Sequence, residues 1–232
     1  MKDIELFEKE SGVHFKDKEL LKQAFTHRSY LNENPESGLQ HNERLEFLGD
    51  AVLELVVTEV LYKNYPDKPE GELTMWRAAL VNARMLAIVA KDLNLGDYLL
   101  LSHGEARETR KARDYILANA TEALLGALYL DQGLKACNKV IEQYVLSKLP
   151  QVLKEKLFED SKSSFQELAQ EKTGITPNYQ VLREWGPDHE KHFRVGVTIG
   201  KDLVAEGEGT SKQEAEQEAA RVALEKQEKI WK

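Results

Sequence analysis

Apolar positions recur at helical spacing through the first two thirds of the chain. Leu20, Leu21, Ala24 and Phe25 form one such set, and Leu45, Leu48, Val52, Leu55 and Val56 another. Three further stretches, Leu73 to Ala90, Ile116 to Tyr129 and Ala136 to Leu153, carry the same period. Breakers separate them at Asn32–Pro35, Pro66–Gly71, Gly96–Asp97 and Asp131–Gly133. Nothing before residue 175 alternates for long enough to predict a strand.

The pattern changes near residue 155. Pro150 is expected to interrupt the last helix, and the charged, serine-rich stretch from Glu155 to Ser164 reads as a linker. Ser163, three residues before Gln166, offers a capping box for a short helix over Phe165–Lys172, stopped by Gly174 and Pro177. Strand signals follow at Tyr179–Leu182, at the alternating Phe193, Val195, Val197 and Ile199, and at Leu203–Glu206, with a turn at Gly200–Asp202. An Ala-rich helix from Ser211 to about Lys229 closes the order helix, three strands, helix. The expected class is mainly α: an all-helical domain over 1–153, a linker over 154–160, and a small α-β-β-β-α domain over 161–230.

Composition narrows the function. The 232 residues hold 40 acidic and 32 basic side chains, a formal net charge of −8. Residues 1–160 carry −6 and residues 161–232 carry −2. This balance argues against coating nucleic acid by bulk charge. The single cysteine, Cys137, excludes a disulfide framework and a Cys-rich zinc module, and suits a reducing cytoplasm. No run approaches the roughly 18 apolar residues of a membrane span, and the first residues lack the apolar core of a signal peptide.

The most informative stretch is Asn42–Leu53. Glu43, Glu46 and Asp50 stand at i, i+3 and i+7, on one face of a helix whose other positions are apolar enough to predict burial on most sides. Carboxylates on such a helix are costly unless something positive compensates them, and a divalent cation with oxygen ligands would do so. A second helix repeats the arrangement with Asn119 and Glu122 at i and i+3. Spacing alone leaves open a solvated acidic stripe, and it does not name the metal.

The motif Glu43-Arg-Leu-Glu-Phe-Leu-Gly-Asp-Ala51 resembles the signature of the ribonuclease III family. The resemblance extends through Phe25-Thr-His-Arg-Ser-Tyr30 and Glu70-Gly-Glu-Leu-Thr74 to Ala123–Gly133, in the family's order and spacing. The last seventy residues are similar to a double-stranded-RNA-binding domain. The resemblance implies a Mg2+-dependent endoribonuclease, with Mn2+ as a substitute, acting in the cytoplasm on ribosomal and other structured RNAs. Each half of a homodimer would cut one strand of a duplex, leaving 5′-phosphate and 3′-hydroxyl ends with short 3′ overhangs.

Position by position, it implies metal ligands at Glu46, Asp50, Asn119 and Glu122. Asp50 and Glu122 would be catalytic, with Glu43 and Glu70 assisting, and Phe47 would pack into the partner subunit. RNA contacts are implied at Gln166, Glu167, His189 and Lys212. Two departures stand out. Asn119 occupies a place where the family commonly has Asp, and its amide oxygen can still coordinate but brings no charge. The last helix opens with Lys212 alone, where relatives carry two or three basic residues. These departures support an alternative: a catalytically weakened or inactive dimeric protein that binds double-stranded RNA. His27 and Arg28 read as helix-packing residues, Cys137 as a packed thiol, and Arg107, Arg110, Lys111 and Arg113 as a solvated loop that nearby acids leave almost neutral.

Overall fold

The computed structural model describes residues 4–107, 109–154, 161–187, 191–226 and 230–231. The chain divides into two compact units, Met1–Phe158 and Glu159–Lys232.

The first unit is helical: α1 (Ile4–Ser11), α2 (Lys18–Ala24), α3 (Arg28–Glu33), α4 (Glu43–Asn64), α5 (Glu70–Val81), α6 (Ala83–Asp92), α7 (Arg110–Gln132), α8 (Leu134–Tyr144) and α9 (Leu149–Lys154), with single turns of 3-10 helix between some of them. Helix α4 buries Leu45, Gly49, Val52, Leu53, Val56, Val57 and Leu61, a stripe that follows the 3.6-residue period. It packs chiefly against α7, which buries Leu117, Ala120, Leu124 and Leu128 in the same core. Phe7, Phe25 and Tyr98 meet edge-on and stacked at 5.0–5.9 Å between ring centroids, closing the end of that core behind α1 and α2.

Two expectations about this unit are corrected. The stretch from Leu73 to Ala90 is not one helix. Asn82 adopts an extended conformation and its side chain accepts the Met85 N–H, capping α6 and bending it 48° from α5. Pro150 does not interrupt the last helix either. The break falls at Val145–Lys148, and Pro150 lies in the first turn of α9, where a missing N–H costs nothing. Helix α4 also departs from the expected burial on most sides, since Phe47, Leu55 and Tyr62 stand exposed along it. Among the described residues no single helix is long and apolar enough to cross a membrane.

The second unit comprises α10 (Ser161–Thr173), β1 (Asn178–Trp185), β2 (His192–Ile199), β3 (Asp202–Gly209) and α11 (Lys212–Glu225). The strands form an antiparallel sheet in the order β1-β2-β3. Helix α10 begins at Ser161, upstream of the expected cap at Ser163, because Ser161 and Phe165 are both buried against the core. The alanines of α11 reflect a close approach to the sheet. A Cβ on Gly207 would lie 2.1 Å from the Ala219 amide nitrogen, so only small residues fit where α11 crosses β3. Ser211 caps α11 by accepting the Glu214 N–H.

Candidate functional site

The geometry of the acidic face follows from two glycines. Gly49 of α4 and Gly126 of α7 face each other so closely that a Cβ on Gly49 would lie 1.7 Å from the Glu122 carbonyl oxygen. One on Gly126 would lie 2.1 Å from that of Leu45. The backbones of the two helices are therefore in contact. Glu46 and Asp50 flank Gly49, and Asn119 and Glu122 lie on the same stretch of α7, so the close crossing brings these four side chains to one face.

The start of α4 is fixed independently. Asn42 is buried, and its side-chain amide donates to the Ala24 carbonyl at 3.0 Å while its backbone N–H donates to Thr26. Its own carbonyl accepts the Glu46 N–H. The Asn42 side chain thus anchors the start of α4 to the end of α2.

Electrostatics mark the face as anomalous. Burial pushes the Glu122 carboxyl up to about 7, with the charges of Asp50 and Glu46 adding to the effect. Glu46 is also raised, by burial first and then by Glu43 and Asp50, while a hydrogen bond from the Asn119 amide works the other way. Among the described residues, no basic side chain pairs with Glu46, Asp50 or Glu122. Nor do three His, Cys, Asp or Glu side chains there close into a ready-made metal cluster. The face is a set of like-charged oxygen donors that lacks a positive partner, which is the donor chemistry a hard divalent cation takes.

The supporting acids are placed differently. Glu43, at the first turn of α4, accepts from Arg28 Nη1 at 3.1 Å, and His41 Nδ1 lies 3.7 Å from its other oxygen. Glu70 opens α5 and accepts from Thr74 Oγ1 at 3.0 Å. It lines a groove of about 610 Å³ with Thr58, Tyr62, Lys68 and Arg77, and takes no part in the shifts of Glu46 and Glu122. Phe47, one residue beyond Glu46, projects outward and is 82% exposed.

Comparison with known proteins gives these features a context. Residues 17–149 match the Ribonuclease-III-like family model, and residues 161–227 match the double-stranded RNA binding motif. The chain belongs to the ribonuclease III family. It is 46% identical over 221 residues to Ribonuclease 3 of Pelotomaculum thermopropionicum, covering 95% of this chain and 92% of that one. Against Ribonuclease 3 of Nitratiruptor the identity is 43% over 224 residues, covering 97% and 96%. The nuclease domain of ribonuclease III from Campylobacter jejuni superposes with a TM-score of 0.57 at 40% identity, covering 64% of this chain and 99% of that domain. The chain is accordingly an endoribonuclease of double-stranded RNA, and the alternative of a non-cutting RNA-binding protein is not favoured. Its family is metal-dependent.

In the second domain of this ribonuclease III, Gln166 and Glu167 lie exposed on α10, and Lys212 is the exposed first residue of α11. The Lys212 ammonium sits 5.8 Å from the Phe193 ring centroid. His189 lies outside the described residues. His192 stacks on Trp185 with centroids 5.7 Å apart. Cys137 is fully buried, donates to the Leu125 carbonyl, and has its thiol pushed up to about 12 by burial, as an inert packed residue should.

The expectation for His27 and Arg28 is corrected in part. His27 caps α3, its Nδ1 accepting the Ser29 N–H at 3.3 Å, and burial depresses its basicity so that the neutral, accepting form is favoured. Arg28 does not pack; it reaches across to Glu43. Sequence reasoning missed Arg28, His41 and Asn42. Arg28 lies inside a recognisable motif and Asn42 borders another, yet only the fold brings them together at the head of α4.

Proposed function

We propose that the cleavage site is the face where α4 meets α7, with Glu46, Asp50, Asn119 and Glu122 holding Mg2+, for which Mn2+ can substitute. The observation that carries this reading is the close crossing at Gly49 and Gly126, which gathers the half-buried Glu46 and Glu122 beside the exposed Asp50 and leaves Glu122 holding its proton up to about 7. Four oxygen donors suit a hard cation. When bound, such an ion supplies positive charge that acidifies water and offsets the charge building on the phosphodiester.

The chain's own groups then have distinct tasks. Asp50 and Glu122 are the central carboxylates, and Glu122 must give up its proton before it can act as a ligand. Asn119 adds an oxygen without adding charge, and its amide steadies Glu46. Glu43 and Glu70 assist from the rim. Hydrolysis forms a bond from water oxygen to phosphorus and breaks the bond to the 3′-oxygen, which leaves with a proton. The products are a 5′-phosphate and a 3′-hydroxyl.

The finer organisation completes the proposal. Two copies form a homodimer through the exposed stripe of α4, with Phe47 entering the partner, and each copy cuts one strand to leave short 3′ overhangs. Residues 161–230 grip the duplex by shape through Gln166, Glu167, His189 and Lys212, and residues 154–160 link them to the nuclease domain at 1–153. The enzyme works in the cytoplasm on ribosomal and other structured precursors. Incubation with a long RNA duplex and Mg2+ should yield short duplexes, while single-stranded RNA and an EDTA control stay intact. A duplex left whole at high enzyme concentration would overturn the proposal.

A further inference from the structure

Glu43 differs from the other acids of the α4 face in lying between a guanidinium and an imidazole. Arg28 Nη1 donates to one carboxylate oxygen at 3.1 Å, and His41 Nδ1 faces the other at 3.7 Å. Arg28 is the first residue of α3, and α3 is tied down from several sides. His27 caps it, the Ser102 N–H donates to Ser29 Oγ at 3.1 Å, and the His103 N–H donates to Glu33 at 3.1 Å. The His27 N–H in turn donates to Leu100, and Asn42, immediately before Glu43, is pinned to Thr26 and Ala24. Both ends of the bracket are therefore set by the fold.

The pair itself contributes little to stability. The Arg28 and Glu43 side chains are 66% and 44% exposed, and water screens ion pairs so exposed. Its consequence lies in position and charge. Glu43 is near enough for its charge to act on Glu46. A free carboxylate at this point would sample the space over the acidic face and add repulsion against an incoming phosphodiester.

We propose that Arg28 is a positioning residue for duplex cleavage: its guanidinium, held on α3, fixes Glu43 at the rim of the α4–α7 face and neutralises it there. The inference rests on that face being the cleavage site. Arg28 acts through Glu43, so its effect should vanish when Glu43 can no longer be an anionic partner.

The test is steady-state cleavage of a duplex at saturating Mg2+ by the full-length wild type, Arg28→Ala, Arg28→Lys, Glu43→Gln, Glu122→Gln and the Arg28→Ala/Glu43→Gln double variant. Arg28→Ala should lower kcat on the order of tenfold with KM within about twofold, as loss of positioning does. Arg28→Lys should recover part of the rate, since an ammonium still reaches a carboxylate but without the planar fork. The double variant should be no slower than Glu43→Gln alone. Additive effects of the two substitutions would overturn the proposal. So would a rise in KM alone with a shallower salt dependence, which marks a direct phosphate contact, or a wild-type rate for Arg28→Ala. A Glu122→Gln variant that cuts at the wild-type rate would overturn the cleavage-site reading, and this inference with it.

Discussion

The Asn119 amide on α7 lies beside the Glu46 carboxylate on α4 and favours its ionised form. An aspartate in that place would instead add a fourth carboxylate beside Glu46, Asp50 and Glu122. Asn119 therefore partly offsets the burial that favours protonated Glu46, and it does so without adding negative charge to the face.

The absent charge has a measurable cost. Asn119→Asp should lower the Mg2+ concentration needed for half-maximal duplex cleavage, by severalfold or more, because another anionic ligand joins the set. Titrating Mg2+ in the cleavage assay reads this directly. An unchanged or raised requirement would mean that position 119 does not reach the ion.

Glu122 sets the pH dependence. Its carboxyl, near 7 in the folded protein against 4.5 ordinarily, favours the protonated form. Binding an ion must expel that proton, so below pH 7 the apparent Mg2+ requirement should rise about tenfold per unit of falling pH. Stability moves in the opposite direction. A carboxyl whose folded value is raised contributes most below 4.5 and loses that contribution as pH climbs toward 7. In EDTA the melting temperature should fall across that window, by an amount equivalent to about 1–2 kcal/mol once water at its exposed side is discounted. Glu122→Gln should flatten the slope in calorimetry.

Much of this face is legible from spacing. Acids at i, i+3 and i+7 in an apolar segment, matched by Asn119 and Glu122 at i and i+3, define two helical faces without any fold. Other features are not local. Arg28 and Glu43 are fifteen residues apart on different helices, and nothing in either neighbourhood predicts their contact. The bend at Asn82 is hidden because Ala78–Val81 and Ala83–Leu86 keep a helical pattern on both sides; only the turn of the Asn82 side chain to the Met85 N–H breaks the run. Phe47, Leu55 and Tyr62 look like core by hydropathy and stand exposed in the single chain, as an intersubunit surface would.

The crossing tolerates no added atoms. Gly49→Ala places a methyl group 1.7 Å from the Glu122 carbonyl oxygen, which must push α4 and α7 apart. Denaturant unfolding should show a loss of about 3 kcal/mol, and cleavage should fall further than stability accounts for, because the acids separate with the helices.

Phe47 should govern assembly. Phe47→Asp leaves the core of the single chain untouched, since the side chain is exposed, but puts a charge into the proposed dimer contact. Sedimentation should then show monomers at concentrations where the wild type is dimeric, with an unchanged circular dichroism spectrum. A dimer that persists unaltered would move the interface elsewhere.

Lys212 should act through charge alone. Lys212→Ala should weaken binding to RNA duplexes of any sequence, and the slope of log affinity against log salt should become shallower by about 1. Filter binding at several salt concentrations measures both quantities.

Glu46, Asp50, Asn119 and Glu122 are proposed to hold a divalent ion together where α4 crosses α7. Titration of Mn2+ followed by its free-ion electron paramagnetic resonance signal, at a pH above 7 and without RNA, tests it apart from catalysis. Wild-type protein should deplete the signal with at least one site per chain, and Glu122→Gln should weaken that binding by tenfold or more while keeping its fold and its affinity for duplex RNA. Equal Mn2+ binding by the two proteins would mean that Glu122 is not part of an ion site.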